Sequence, residues 1–205
     1  MIAVEPGAVK TVCEEIKDIV AEKSPLIISV ASDVNDSHMR EWLGNDAAIV
    51  RVMPNTPSSV GAGASGLYAN VNVTPEQKSL SEHIMRAVGI VIWVDNESLI
   101  NAVAALSGSG PAYVFLVMEA LQAAGEALGL SEENARLLTL QTVQGAARMA
   151  LESEHDVTEL RRFITVPGGS TEQGIKVFEE RGIRNIFEAA LKAAHNHTVK
   201  VAESL

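Results

Sequence analysis

The sequence has a single cysteine, Cys13, and few aromatics: two Trp, two Tyr and four Phe among 205 residues. One cysteine forms no internal disulfide, which fits a reducing compartment and a cytoplasmic location. Cys13 itself reads as a small buried hydrophobe on a helix. Basic residues are also scarce: 16 Lys and Arg stand against 26 Asp and Glu, a net charge of −10, and Arg161-Arg162 is the one adjacent Arg pair. Nucleic-acid binding needs clustered cations to neutralise phosphates, so no nucleic-acid partner is expected. No run approaches the ~18 consecutive apolar residues of a membrane span. Met1-Ile2-Ala3-Val4 meets Glu5-Pro6 at once, without the basic start and long apolar core of a leader. Neither a membrane partner nor a leader is expected. His38, His83, His155, His195 and His197 have no ligand spacing, and His195 and His197, two apart, face different ways on a helix, so no metal is expected. Repeats and low-complexity segments are missing as well.

What is present is 47% apolar residues, enough for a core, in two textures. Up to about Val94, short β-branched runs alternate with helical patterns. Ile2–Val4, Leu26–Val30 and Ile49–Met53 read as buried strands. Val9, Val12, Cys13, Ile16, Ile19 and Val20 make one helical face between the first two. Asn35 or Asp36 caps a shorter helix with Met39, Trp42 and Leu43 that closes at Gly44. Leu67–Val73 reads as an added edge strand. Thr74-Pro75-Glu76-Gln77 starts a helix ending at Gly89, and Ile90–Val94 is a further strand. This alternation implies a mostly parallel α/β sheet. After Asp95 the pattern is helical: Glu97–Leu106, a long helix from Pro111 to near Gly129, another capped at Ser131, and two more from about Thr171 and Ile183. Two domains are expected, 1–95 and 96–205. The Ala- and Leu-rich helices of the second suit close packing and interleaving with a partner chain.

Four glycine- or proline-marked segments could carry chemistry. Gly61–Gly66 matches G-x-G-x-x-G but runs into an alternating segment rather than a helix, so it is a turn into a strand, not a dinucleotide fingerprint. Met53-Pro54-Asn55-Thr56-Pro57 follows a strand, where an α/β sheet binds ligands, and is equally apt as a turn. Ser107-Gly108-Ser109-Gly110-Pro111 is either a loop joining two helices or a bare backbone approached by a substrate or a second chain. Val166-Pro167-Gly168-Gly169-Ser170-Thr171 points successive N–H groups one way at a helix start, as an anion site or as an ordinary cap.

Taken together, Arg51–Pro57, Ala105–Tyr113 and Pro167–Thr171 resemble pyrroline-5-carboxylate reductases, in order and spacing, over essentially the whole chain. The resemblance implies a Rossmann-like nicotinamide-binding domain followed by an all-α dimerisation domain. It also implies a homodimer or larger homo-oligomer, and reduction of Δ1-pyrroline-5-carboxylate to L-proline with NADPH or NADH. Carried over by motif, Ala3, Val4, Pro6, Ala31 and Asn55 would line the cofactor. Glu97, Gly168, Gly169, Ser170 and Thr171 would bind substrate, with the Thr171 hydroxyl meeting the ring nitrogen as the catalytic group.

Three positions depart from the family pattern. Glu5 stands where Lys is usual, Val166 where Ser is usual, and Asp33 closes a usual Ala-Ala-Gly. The first strand resembles the fourth of a Rossmann sheet, so the family's glycine-rich pyrophosphate loop is expected to be missing. That favours an alternative, a non-catalytic or regulatory relative acting as a helical dimer module.

Overall fold

The computed structural model describes residues 1–203; Ser204 and Leu205, the end of the second expected domain, lie outside the described residues. Compactness divides the chain into one unit of Met1–Pro111 with the stretch from Leu191 onward, and a second of Ala112–Ala190. The sheet thus shares its unit with the first helical residues after Asp95 and with the end of the last helix.

In the first unit, helix α1 (Pro6–Lys23) precedes strand β1 (Leu26–Ser29), helix α2 (Asp36–Leu43) and strand β2 (Ala48–Met53). A short 3₁₀ turn at Thr56–Val60 leads to β3 (Gly63–Ala69), α3 (Pro75–Arg86) and β4 (Gly89–Trp93). The four strands lie in the order β1-β2-β3-β4. β1 and β2 run parallel, β3 runs antiparallel to β2, and β4 is parallel to β3. β1 and β2 are apolar almost throughout because both sheet faces are covered. Val9, Cys13 and Val20 of α1 and Met39 and Leu43 of α2 pack with Ile27 and Ile49. Ile28, Val50, Val52 and Leu67 pack with Met85 of α3. Cys13 is wholly buried, and burial with the nearby Glu14 charge raises its thiol pKa. β4 alternates instead, leaving Ile90 and Ile92 exposed on one face.

Three strand expectations change. Ile2–Val4 is no strand but a single parallel bridge, Ile2 to Ser29, with the Ile2 N–H donating to Ile28 O at 2.7 Å and the Val30 N–H to Ile2 O at 3.0 Å. β3 is internal rather than an edge. It also starts at Gly63, and Asn70–Val73 is a turn closed by the Val73 N–H on Asn70 O at 3.2 Å. Gly63 and Gly66 therefore sit inside a strand. Bare backbone is required there: a Cβ on Gly89 (φ +152°) would run into the Gly63 main chain, and one on Gly66 into the Val103 side chain.

Helix α4 (Leu99–Val103) passes through a wide π turn, Ala104–Gly108, into α5 (Gly110–Ala127). Leu99–Ala127 is thus one 29-residue helical stretch, not two helices joined by a loop. By length and mean hydropathy it is apolar enough to cross a membrane, although it contains no unbroken apolar run of that length, as expected. The Ser and Gly residues of the turn hide this from a search for unbroken apolar runs.

In the second unit α5 packs on α6 (Glu132–Glu152) where Gly125 meets Ala135. Helix α6 is capped as expected by Ser131, whose Oγ accepts the Asn134 N–H at 3.3 Å. Helix α7 (Val157–Phe163) was not anticipated. Its cap, Asp156, accepts the Thr158 and Glu159 N–H groups at 2.7 and 2.9 Å, which holds its carboxyl below the usual range. Helices α8 (Ser170–Glu180) and α9 (Ile183–Glu203) follow, α9 ending in the first unit.

Candidate active site

Parallel pairing of Ile2, β1 and β2 sets their carboxyl ends along one sheet edge. Ala3, Val4, Ala31 and Asn55 follow those ends, and Pro6 opens α1 beside them. Ala3 and Val4 are exposed, Ala31 is buried, and Pro6 and Asn55 are half-buried. The Gly61–Gly66 string is a turn running into β3 and offers no helix start to a pyrophosphate.

Asn55 is held at both ends of its amide. Its Nδ2 donates to Ser107 O at 3.1 Å, and its Oδ1 accepts the Ala64 N–H at 2.9 Å. It thereby joins the end of β2 to the start of β3 and to the π turn. Gly108 of that turn rests on Met53, where a Cβ would come within 2.7 Å of Cε.

Glu97 enters a buried polar network that the sequence did not announce. The guanidinium of Arg51, 3% exposed, meets Glu97 Oε1 at 2.5 Å, Asn35 Oδ1 at 3.3 Å and Ser32 O at 2.7 Å. The same Glu97 oxygen accepts the Asp36 N–H at 2.6 Å. Asp36 takes Asn70 Nδ2 at 2.8 Å and pairs with Arg40 at 2.9 Å. Burial raises the Asp36 pKa, an effect that Asn70 and Arg40 oppose. Asn35 begins α2 but does not cap it with its side chain, which is spent on Arg51. The one available signal was Arg51 itself, a lone cation inside Ile49-Val50-Arg51-Val52-Met53; a charge that is not exposed must be paired. A cleft of about 340 Å³ opens beside Glu97, lined by Asn35, Asn96, Ser98 and Asn101 among others.

The Pro167–Thr171 loop belongs to the second unit and is described by itself. Gly168 has φ +76°, and the Gly169 N–H closes the turn on Val166 O at 2.9 Å. Gly169 caps α8 without a side-chain bond. The Gly168 N–H donates to Glu172 Oε2 at 2.8 Å, so the loop holds a carboxylate of its own chain. Ser170 and Thr171 are exposed.

Residues 97–201 match the family model described as pyrroline-5-carboxylate reductase dimerisation. The pyrroline-5-carboxylate reductase of Pseudomonas aeruginosa is 46% identical over 205 residues, 100% of this chain and 75% of that protein. The chain belongs to the pyrroline-5-carboxylate reductase family. Solved structures agree. A pyrroline-5-carboxylate reductase from Coxiella burnetii superposes with a TM-score of 0.95 at 58% identity, covering 97% of this chain and 74% of that one. The Plasmodium falciparum pyrroline carboxylate reductase, solved with NADP bound, gives 0.87 at 34%, covering 98% and 79%. In this family member the partial Rossmann-like sheet precedes the helical region, as the sequence implied.

Proposed function

We propose that this chain reduces Δ1-pyrroline-5-carboxylate to L-proline with hydride from NADPH or NADH. The observation that carries the reading is the Gly168 N–H holding a carboxylate, because the substrate is itself a carboxylate beside a ring imine. The nicotinamide, when bound, supplies the hydride. Ala3, Val4, Pro6, Ala31 and Asn55 border the edge proposed for it. The N–H groups of Gly168 and Ser170 take the substrate carboxylate, displacing Glu172 from Gly168, while Gly169 keeps the turn closed on Val166. The Thr171 hydroxyl hydrogen-bonds the ring nitrogen, favouring the protonated imine, the better hydride acceptor. Glu97, the substrate-side acid implied by the family motif, is held in place by Arg51. Orientation and electrostatics suffice, with no strong base required.

The working form is a homo-oligomer. Phe115, Leu116, Leu121, Leu137 and Leu138 are exposed on α5 and α6, and a second copy's helices covering them would remove that apolar surface from water. Purified protein is assayed for NAD(P)H consumption with pyrroline-5-carboxylate, and its mass in solution is measured. Turnover to proline by an oligomer is expected; no consumption at high enzyme concentration would sink the reading.

A further inference from the structure

We infer that Asn55 is a positioning residue: it supplies the hydrogen bond that Pro111 withholds from Ser107, and so holds the π turn against the carboxyl edge of the sheet. In an α-helix the Ser107 carbonyl would accept the N–H of residue 111. Residue 111 is proline, which has no N–H, and its ring crowds the carbonyl four residues earlier. The helix nevertheless continues through Pro111. It does so by widening: the Ser109 N–H reaches Ala104 O at 2.9 Å, a five-residue step, and the Ser107 carbonyl receives Asn55 Nδ2 instead. The Ala64 N–H on Asn55 Oδ1 fixes the orientation of the amide, since only one assignment satisfies a donor and an acceptor together. Asn55 thus joins two motifs that the sequence shows as separate, Met53–Pro57 and Ser107–Pro111.

The functional weight of this clamp rests on the reductase reading. The turn stands beside Met53 and Asn55, at the edge where the nicotinamide is proposed to lie. A turn free to tighten would shift the wall of that edge. Asn55 then acts on orientation, and its loss falls on kcat rather than on cofactor affinity.

The test uses Asn55→Asp, which keeps the acceptor for Ala64 and loses the donor, alone and with Pro111→Ala, which restores a backbone N–H for Ser107. Asn55→Ala serves as the second variant if the aspartate does not fold. Hydrogen exchange reports the turn without any need for activity. In the Asn55 variant the amides of residues 104–110, Ser109 above all, exchange faster, while those of α3 do not change. In kinetics, kcat falls at least about tenfold with the KM for NADPH within about threefold, and the loss shrinks to under about threefold in the Pro111→Ala background. Unchanged exchange at Ser109 overturns the clamp. A raised NADPH KM at unchanged kcat, or an equal loss in both backgrounds, overturns the positioning role in favour of direct contact. A wild-type chain that consumes no NAD(P)H overturns the reductase reading, and exchange alone then decides the clamp.

Discussion

Arg51, buried in the middle of β2, closes on Glu97, 46 residues further along the chain and just ahead of α4. The partners are unequally covered: the Arg51 side chain is 3% exposed and that of Glu97 25%. A buried charge that loses its counter-charge costs about 3–5 kcal/mol, whereas replacing both with apolar groups costs far less. Glu97→Leu is therefore the more damaging single change, since it strands the deeper group. Chemical denaturation should show Glu97→Leu less stable than Arg51→Met, and the double variant more stable than the sum of the two losses allows.

Gly89→Ala should destabilise the protein by at least about 2 kcal/mol, because the new methyl meets the Gly63 main chain and the backbone there is left-handed. Gly7→Ala, where nothing lies within 4 Å, is the control. Midpoints of urea unfolding compare the two, and equal midpoints would contradict the close approach of β3 and β4.

Asp36 makes stability depend on pH in a specific direction. Burial raises its folded pKa above the ordinary value of 3.8. Its contribution is therefore fully present below that value and is lost as pH rises through the folded pKa. Against Asp36→Asn, the wild type should lose relative stability between pH 3.5 and neutrality. Unfolding free energies of both proteins across that range check the sign, and a relative gain by the wild type on raising pH would refute it.

Thr171→Val should lower kcat/KM for the imine by about a hundredfold, the size of a lost proton-handling contact, with Thr171→Ser recovering most of it. Thr171 is exposed, so the circular dichroism spectrum should not change. A fully active valine variant would remove the hydroxyl from the mechanism.

Local chemistry was legible where partners lie close in sequence. Thr74 and Gln77 form the reciprocal cap that their spacing implies, and Ser131 caps α6. Elements whose identity depends on distant partners were not legible. β3 has an unremarkable sequence, and its direction and internal place come from pairing with β2 and β4. Pro111 reads as a helix start by every local rule, and the helix passes through it because a side chain 52 residues away in sequence bonds the carbonyl that the proline cannot. The same holds for Glu97: its acid was visible, but not the arginine that fixes it. Among the candidate site residues, the strand-end positions and the glycine loop could be read from motif, whereas the Arg51–Asp36–Asn70 network behind them could not.

The link from Asn55 to Ser107 bears on how the chain can be cut. The family match begins at residue 97, which invites excision of the helical region as a module. Such a cut would leave Arg51 in one piece and Glu97 in the other, and would take from Ser107 its only side-chain donor among the described residues. The excised helices would reach Pro111 with a carbonyl to satisfy and no Asn55 to satisfy it. The compact helical unit, Ala112–Ala190, is thus shorter than the recognisable match, and its natural border lies inside α5 rather than before α4.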